Sequence, residues 1–300
     1  MIGAIIVTFN PIIDTLSKNI ESVVGQVNKV LIVDNGSKNV ENIEKLSLKY
    51  DIHILKIQEN IGIAAALNIG MEYFDRYKYK WAVTLDQDSI LERDTVDKLT
   101  RTSYFFDSKT AIVAARYIDK EQSRNHTNLP FEENLYAITS GGIVRISAWK
   151  EVEGFDEQLF IDNVDNDFNQ RLHGLGYNII QANRITFQHS LGDPVPNRPF
   201  LKKILMIKKE LSPTDHSAFR QFYISKNGII MAKRYYKPVL LQIFRVIANT
   251  RQILLFRSPI KKILASYRGI IAGLRYSTAQ DEYFQNYLKK IRIKIDERKD

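Results

Sequence analysis

The chain has 300 residues, of which 44% are hydrophobic and 26% charged, and its formal net charge is +9. This composition is typical of a folded globular protein and excludes a disordered or collagen-like chain. The chain contains no cysteine, which excludes a disulfide framework, a zinc–thiolate site and a cysteine nucleophile. The charge is unevenly divided, because residues 1–197 carry 20 basic and 27 acidic side chains whereas residues 198–300 carry 23 and 7. We therefore expect a domain over residues 1–195 and a basic, mainly helical region over residues 196–300.

Short apolar strands alternate with amphipathic helices at the start of the chain. Strands are predicted over 3–9, 30–33 and 52–57, with helices over 13–24 and 40–50 between them. The first apolar run is short and has no basic leader, so we expect a strand and not a signal peptide. This alternation predicts a parallel sheet flanked by helices, in which ligands bind beyond the carboxyl ends of the strands.

Polar residues follow each of these strands. Thr8, Phe9 and Asn10 follow the first strand, and Asp34 follows the second. An alanine-rich helix is predicted over residues 60–70 after the third strand, and its small side chains would allow close approach to the sheet or to a ligand. These residues are expected at one edge of the sheet. There is no G-x-G-x-x-G or G-x-x-x-x-G-K-[ST] motif, so neither a dinucleotide fold nor a P-loop is indicated.

A buried strand over residues 81–85 leads directly into two carboxylates, Asp86 and Asp88. Side chains at i and i+2 of an extended segment point the same way, so the two carboxylates can converge on one site. Hard oxygen ligands of this kind suit Mg²⁺ or Mn²⁺ held together with phosphate oxygens. The alternative is a plain exit from a strand into a turn, where Asp and Ser are common.

The next predicted elements are a helix over 95–105, a strand over 111–115 and an irregular polar loop over 117–134. Gly141 and Gly142 then lead into another strand. They predict either close approach of a substrate or a simple bend.

A second acidic cluster occupies residues 154–168 and leads into a helix that ends near Gly174 and Gly176. Asp165 is predicted at the N-cap of this helix. Asp167 is predicted in its first turn, where it can pair with Arg171. The number of acids exceeds what one cap needs, which indicates that one of them is catalytic.

His189 ends a later strand and is expected at the same rim. An imidazole among carboxylates suits Mn²⁺ better than Mg²⁺. The alternative is an ordinary packing residue.

These motifs occur in a recognisable order along the chain. They are Thr8-Phe9-Asn10, Val33-Asp34-Asn35-Gly36-Ser37, Asn60-x-Gly62, Asp86-Gln87-Asp88-Ser89, Ser140-Gly141-Gly142, Gly154-Phe155-Asp156-Glu157 and Asp165-x-Asp167. The order resembles the family 2 glycosyltransferases with a GT-A fold, over about residues 1–192. The forms Leu85-Asp86-Gln87-Asp88-Ser89 and Leu159-Phe160-Ile161-Asp162 are most similar to the bacterial rhamnosyltransferase branch.

The resemblance implies a nucleotide-sugar donor and a cofactor, Mn²⁺ or Mg²⁺. It implies that the donor is bound by Thr8, Phe9, Asn10, Asp34, Asn60, Gly62, Asn68, Asp86 and Gln87. It also implies that Asp86, Asp88 and His189 hold the metal.

The resemblance further implies that Asp165 is the general base, since it matches the aspartate of the family's Glu-Asp motif. The chain departs from that motif at Val164, where the family has Glu, so Asp162 and Asp167 are contenders. The acceptor side would comprise Gly141, Gly142 and Asp162.

Basic and apolar residues interleave from Arg198 onward, and no apolar run approaches the roughly 20 residues needed to span a bilayer. Such helices suit an anionic membrane surface. The alternative is a helical bundle with solvated lysines, and nucleic-acid binding is disfavoured because no recognised module occurs. We expect a cytoplasmic protein held peripherally on the inner face of the bacterial plasma membrane.

The resulting hypothesis is an inverting, metal-dependent glycosyltransferase. It would move L-rhamnose from dTDP-rhamnose onto a lipid-linked or growing surface polysaccharide. One alternative is a UDP-sugar-dependent hexosyltransferase of the same fold, and another is a catalytically inactive GT-A domain that serves as a membrane assembly module. A homodimer is left open.

Overall fold

The computed structural model describes residues 1–118, 129–189, 193–196, 198–207 and 214–297. The chain forms two compact units. One comprises residues 1–160, 164–190 and 290–300, and the other comprises residues 161–163 and 191–289.

The strands of the described residues are β1 (Ile2–Thr8), β2 (Lys29–Asn35), β3 (His53–Ile57), β4 (Trp81–Asp86), β5 (Ile90–Leu91), β6 (Thr110–Ile118), β7 (Phe131–Glu133), β8 (Gly142–Arg145), β9 (Asn178–Gln188), β10 (Asp193–Pro194) and β11 (Thr214–Asp215). Nine of these described strands form one sheet in the order β3-β2-β1-β4-β8-β6-β9-β5, with β7 beside β9. Strands β10 and β11 form a separate antiparallel pair in the second unit.

Strands β1, β2, β3, β4, β6 and β9 run in one direction, and β5, β7 and β8 run against them. The pairing register is level at the carboxyl ends, because Thr8 pairs with Asp34 and Val7 pairs with Asp86. The sheet therefore gathers the polar residues that follow β1, β2 and β4 at one edge, as the strand–helix alternation predicts. The predicted mostly parallel α/β fold is confirmed.

The helices of the described residues are α1 (Ile13–Val23), α2 (Val40–Lys49), α3 (Ile63–Arg76), α4 (Thr95–Thr100), α5 (Ser103–Phe106), α6 (Ile146–Glu151), α7 (Val164–Gly174), α8 (Pro199–Ile204), α9 (Ala218–Tyr235), α10 (Val239–Asn249), α11 (Pro259–Arg275) and α12 (Glu282–Glu297). Short 3₁₀ turns span Glu157–Leu159 and Thr250–Leu255. The predicted helical character of the C-terminal region is confirmed. Within the part of the chain that the structure describes, no helix combines the length and the apolar character needed to cross a membrane.

Helix α3 packs unusually close to β1. A Cβ atom at Gly70 would lie 2.6 Å from Cγ2 of Ile5, so only a glycine allows this approach. Ala64, Ala65 and Ala66 are all buried. The alanine run therefore serves the packing of the helix on the sheet, and the first unit gains a tightly packed core behind the carboxyl edge.

Three sequence predictions differ from the structure. The helix predicted over 95–105 is two helices, α4 and α5, because the Thr102 hydroxyl donates to the Leu99 carbonyl (2.8 Å) and the Thr102 backbone is extended. The loop predicted over 117–134 is replaced in part by the end of β6 and by β7, while residues 119–128 lie outside the described residues. The N-cap predicted at Asp165 is wrong, since α7 already begins at Val164.

The second unit is built around α9 and α11, which pack through small residues. A Cβ atom at Gly269 would lie 2.2 Å from the Phe222 carbonyl oxygen, and one at Gly273 would lie 2.8 Å from Cβ of Ile229. Ser225 on α9 and Ser266 on α11 share a hydrogen bond of 2.7 Å. These contacts bring the two helix backbones close together and leave the larger side chains of α11 on other faces.

Candidate functional site

The loops that follow β1 and β2 are tied together by hydrogen bonds around the buried Asp34 carboxylate. One oxygen accepts from the Thr8 hydroxyl (2.9 Å) and the other from the Ser37 backbone N–H (3.0 Å). The Asn10 N–H donates to the Ser37 hydroxyl (2.8 Å), and the Asn10 side-chain oxygen accepts from the Lys38 N–H (2.8 Å). Thr8, Asn10 and Asp34 are thus brought together, as expected from the strand register.

The ends of β1 and β4 are also linked. The Phe9 backbone N–H donates to the side-chain oxygen of Gln87 (2.8 Å), and the Phe9 ring is exposed at the rim. Asn60 and Gly62 belong to a neighbouring network centred on Asn35. The Asn35 side-chain amide donates to the side-chain oxygen of Asn60 (3.0 Å) and to the Gly62 carbonyl (3.2 Å). These contacts fix the loop that leads into α3.

Asp86, Asp88 and His189 converge at the carboxyl edge of the sheet. One potential ligand atom from each of the three lies within 4.8 Å of the other two. The His189 Nδ1 atom is 3.5 Å from a carboxylate oxygen of Asp88, and Nε2 is 3.9 Å from one of Asp86. Two ligands on opposite sides of a cation, each about 2.1 Å from it, lie about 4.2 Å apart. The spacing and the O/N donor set therefore fit a small divalent cation.

The negative charges around His189 outweigh the effect of burial on the pKa of its imidazole. Burial alone would lower the pKa of the imidazole, but the contact with Asp88 and the negative charges of Asp86, Asp88 and Asp165 raise the pKa above its ordinary value. The site therefore concentrates negative charge, which a cation would compensate. Asp165 contributes to that charge although it belongs to the second acidic cluster.

Three residues that the sequence interpretation did not assign support this triad. The Ser89 hydroxyl lies 3.0 Å from His189 Nδ1 and 2.7 Å from the Ser140 hydroxyl, and the latter accepts from the Asp86 N–H (3.0 Å). The Asn19 side-chain amide donates to the carbonyls of Asp86 (2.9 Å) and Ser89. Asn19 lies among the buried apolar residues of α1, and a polar residue on such a face is the signal that could have identified it.

Three of the aspartates in the second acidic cluster, the candidates for the base, have different partners. Asp167 forms a fully buried ion pair with Arg171 (2.7 Å), as the i, i+4 spacing predicts. The Asp162 carboxylate accepts bidentate hydrogen bonds from the Arg220 guanidinium, at distances of 2.9 to 3.1 Å. Asp165, in the first turn of α7, accepts from the Thr139 hydroxyl. The cluster is therefore not one convergent group of carboxylates.

Asn68 is occupied by contacts within the protein. Its amide nitrogen donates to the Phe155 carbonyl and to a Glu157 carboxylate oxygen, both at 2.9 Å. Its oxygen accepts from the Trp149 ring N–H (3.0 Å) and the Phe155 N–H (2.8 Å). All four hydrogen-bonding positions of the side chain are used, so Asn68 fixes the segment that precedes the 3₁₀ turn.

The glycines near the site have packing reasons of their own. A Cβ atom at Gly141, where φ is +75°, would lie 2.5 Å from the Phe187 ring. One at Gly142 would lie 3.0 Å from the Thr139 carbonyl oxygen, and one at Gly62 would lie 2.8 Å from Phe160. Each glycine is thus explained by the fold without a ligand.

Comparison by sequence with known proteins finds a matching family and a similar protein. The family described as Glycosyl transferase family 2 matches residues 4–160. The dTDP-rhamnosyl transferase RfbF of Shigella flexneri is 29% identical over 306 residues, which cover 92% of this chain and 98% of that protein.

Solved structures show the same fold at much lower identity. Staphylococcus aureus TarS 1–349 in complex with UDP has a TM-score of 0.53 and 14% identity, over 95% of this chain and 91% of that chain. GalNAc-T7 with UDP, GalNAc and Mn²⁺ has a TM-score of 0.52 and 12% identity, over 83% and 54% of the two chains. At these identities the similarity establishes the fold alone.

Proposed function

Because the chain belongs to glycosyl transferase family 2, we propose that it transfers L-rhamnose from dTDP-rhamnose to an acceptor of bacterial surface polysaccharide, either lipid-linked or a growing glycan. The observation that carries the choice of sugar is the similarity to a dTDP-rhamnosyl transferase over nearly the full length of both chains. Residues 1–195 would carry the donor site and the chemistry. A UDP-linked donor is the rival outcome of the test below.

The linked ends of β1 and β2 support a nucleobase site. Asp34 is buried and both of its oxygens already accept hydrogen bonds, which fixes the carboxylate at the rim. We assign Thr8, Asn10 and Asp34 to the nucleobase, with the exposed Phe9 ring beside them. The loop held by Asn60 and Gly62 would border the sugar and the nucleotide, and Asn68 would act by holding its neighbours in place.

We assign Asp86, Asp88 and His189 to a divalent cation, Mn²⁺ or Mg²⁺, with Asp86 also beside the ribose and Gln87 within the donor site. The geometric fit of the three side chains supports this assignment. The cation would supply positive charge to the diphosphate that leaves when the glycosyl–phosphate bond breaks. The Ser89 hydroxyl holds the His189 ring and the Ser140 hydroxyl holds the backbone of Asp86, which supports a site that is positioned before the donor binds.

We assign Asp165 as the general base that removes the proton from the acceptor hydroxyl. Each of the two contenders already forms an ion pair with an arginine: Asp167 with Arg171, and Asp162 with Arg220. Asp165 lies close enough to the triad for its charge to influence His189. A single displacement with one base inverts the anomeric centre, so the proposed reaction is inverting.

Thermal stabilisation of the full-length protein by nucleoside diphosphates tests the donor. A ligand that binds the folded state raises the melting midpoint according to its concentration relative to Kd. We expect stabilisation by dTDP above UDP, GDP and ADP in the presence of Mn²⁺ or Mg²⁺, and loss of that preference in EDTA. A preference for UDP would retain the reaction and change the sugar. The absence of stabilisation by any diphosphate would contradict the proposal.

Release of dTDP from dTDP-rhamnose, with and without a bacterial lipid extract, tests whether the protein turns over. The Asp88→Ala variant should lose this release while retaining its fold, because it removes one of the proposed cation ligands. Glu72→Ala on the exposed surface of α3 is the matched control and should retain it. Equal rates in Asp88→Ala and wild type, or no release by the wild type, would favour an inactive assembly module.

A further inference from the structure

Helix α11 buries its small residues and exposes its large apolar ones. Ser266, Gly269 and Gly273 are buried against α9, as described above. The exposed side chains include Ile260, Ile263, Leu264, Tyr267 and Leu274. At 3.6 residues per turn these five fall on one side of the helix. An ordinary surface helix would turn this apolar stripe toward the protein core.

A line of basic residues runs beside the apolar stripe of α11. Lys261, Arg268 and Arg275 are spaced by seven residues and each directly follows one of the exposed apolar residues Ile260, Tyr267 and Leu274. All three basic side chains are exposed, and the described residues offer none of them a carboxylate partner. The helix therefore presents an apolar ridge with a cationic border, which is the pattern of helices that lie in a membrane interface.

Helix α10 also exposes large apolar residues. Its Val246 faces α9, where it would lie 3.2 Å from a Cβ atom placed on Gly228. On another side, Leu240, Phe244 and Ile247 are spaced as one stripe and are 82%, 65% and 39% exposed. The basic Arg245 is exposed on the same helix. Helix α10 has no buried residue, although it is the most apolar helix of this unit.

The charge of this segment has a single sign. Residues 216–280 contain 12 Lys and Arg residues and no Asp or Glu. The partner that covers the two ridges must therefore tolerate or require an excess of positive charge. An anionic membrane surface attracts each such residue and also accepts aliphatic side chains below its head groups.

We propose that the exposed ridges of α10 and α11 bind the surface of an anionic lipid bilayer. Their aliphatic and aromatic side chains enter the interface while Arg245, Lys261, Arg268 and Arg275 contact the lipid head groups. A second copy of the chain would bring two surfaces of the same charge together, which opposes association. A nucleic acid offers phosphates but no aliphatic layer for Ile260 or Leu264 to enter. The surface would keep the enzyme close to lipid-linked acceptors.

Flotation of the purified full-length protein with lipid vesicles tests this surface. We expect the protein to float with vesicles of phosphatidylcholine and phosphatidylglycerol and to remain behind with phosphatidylcholine alone. High salt should weaken binding, because the Debye length falls from about 8 Å at physiological ionic strength to about 3 Å at 1 M. Failure to float with anionic vesicles at low salt, or equal binding to both compositions, would overturn the proposal.

Two double variants separate the contributions of charge and apolar contact. Lys261→Gln with Arg268→Gln should weaken binding about 25-fold, since each basic residue near an anionic surface contributes a factor of about five. Ile260→Ser with Tyr267→Ser should weaken it at least ~10-fold through lost apolar burial. Both pairs are exposed, so the fold should be retained. Wild-type binding in either folded double variant would overturn the proposal.

Matched variants in the first unit provide the control. Lys18→Gln with Arg93→Gln removes two exposed basic residues, and Leu48→Ser removes an exposed apolar one. Neither should change vesicle binding, and an equal loss in these controls would overturn the assignment to α10 and α11. The α11 variants should keep their stabilisation by dTDP, so failure of the membrane surface and failure of the proposed donor are distinguishable.

Light scattering of the lipid-free protein tests whether a second copy of the chain covers the apolar stripe of α11 instead. We expect the same molar mass for the wild type and for Ile260→Ser with Tyr267→Ser. A wild-type dimer that becomes a monomer in this variant would assign the ridge to self-association and overturn the membrane proposal. The full-length protein could instead bind single-stranded RNA more tightly than anionic vesicles. Loss of that RNA binding in the double variant Lys261→Gln with Arg268→Gln would also overturn the membrane proposal.

Discussion

The two acidic clusters of the first 167 residues contain the same side chain in different surroundings. Asp86 ends β4 and Asp88 lies just beyond it; they remain 37% and 35% exposed, and both lie close to the His189 imidazole. Asp162 and Asp167 are each bound to an arginine. A carboxylate already bound to a guanidinium stabilises the fold, whereas carboxylates gathered around a histidine can bind a cation. The charged partner of each carboxylate, and not the number of acids, therefore distinguishes the two clusters.

The buried pair gives the largest expected effect on stability. Asp167→Ala leaves Arg171 charged inside the protein, and loss of one partner of a buried pair costs about 3–5 kcal/mol. We expect a decrease of that size in the free energy of unfolding, measured by urea denaturation. A change below about 1 kcal/mol would show that the pair does not behave as a buried one.

A double variant distinguishes the effect of the uncompensated Arg171 charge from the effect of the hydrogen bonds that Arg171 donates. Replacing both members, as in Asp167→Leu with Arg171→Met, removes the uncompensated charge. The double variant should be more stable than Asp167→Ala, although the carbonyls of Val152 and Gly154 lose the hydrogen bonds that Arg171 donates. Lower stability in the double variant would assign the effect to those carbonyls.

The proposed base gives the largest expected effect on activity. Asp165→Asn preserves an acceptor for the Thr139 hydroxyl but removes the basic carboxylate, so kcat should decrease by about 10²–10⁴-fold. The melting midpoint should change little. Measurement of dTDP release from dTDP-rhamnose checks the rate, and a variant with wild-type kcat would move the role of base to another carboxylate.

Substitution of Asp162 is expected to change both stability and activity less than the substitutions above. Its partner Arg220 is partly exposed, so the pair is expected to contribute about 1 kcal/mol or less to stability. Asp162→Asn should therefore change the free energy of unfolding by no more than that and should retain more activity than Asp165→Asn. The reverse order of activities, measured in the same assay, would make Asp162 the base.

The smallest effect on stability is expected for Tyr177, which shares its acidic partner with a lysine. Glu151 accepts from Tyr177 (2.5 Å) and pairs with Lys294 (2.6 Å). Burial, followed by the hydrogen bond to Glu151 and its charge, raises the pKa of Tyr177 to about 12. This folded value exceeds the unfolded value of about 10, so the contribution of Tyr177 is complete below pH 10 and is lost as the pH rises through 12.

Comparison with Tyr177→Phe isolates that contribution, because phenylalanine does not ionise. The difference in unfolding free energy between wild type and variant, from urea denaturation across the alkaline range, should be constant below about pH 10 and should then shrink. A difference that is independent of pH up to about 12 would contradict the raised pKa.

Local patterns predict the sheet and the acidic rim well. The strands β1 to β4 follow from apolar runs and their turn residues, and the pairing of Asp167 with Arg171 follows from their i, i+4 spacing. Asp86 and Asp88 are two residues apart, and the position of His189 at the end of a later strand predicts it at the same rim. Each of these predictions depends on neighbours along the chain or on a motif.

Features set by distant or backbone contacts could not be predicted in this way. Arg220 binds Asp162 from 58 residues away, and no periodicity connects the two. The Thr102 hydroxyl ends α4 by bonding to the backbone, which an apolar pattern does not reveal. The apolar stripe of α11 predicts a buried face, but close packing of Gly269 and Gly273 against α9 leaves that stripe exposed.

Because the Asn68 side chain makes four hydrogen bonds, we expect position 68 to tolerate few substitutions. Aspartate lacks the two donors, glutamine is one methylene longer, and leucine of similar shape leaves four polar groups without a partner. Gly154 adds a constraint, because a Cβ atom there would lie 2.7 Å from the Asn68 oxygen. In a library carrying every amino acid at position 68, asparagine alone should be recovered after selection for folded, active protein, whereas the neighbouring exposed position 72 should accept most substitutions.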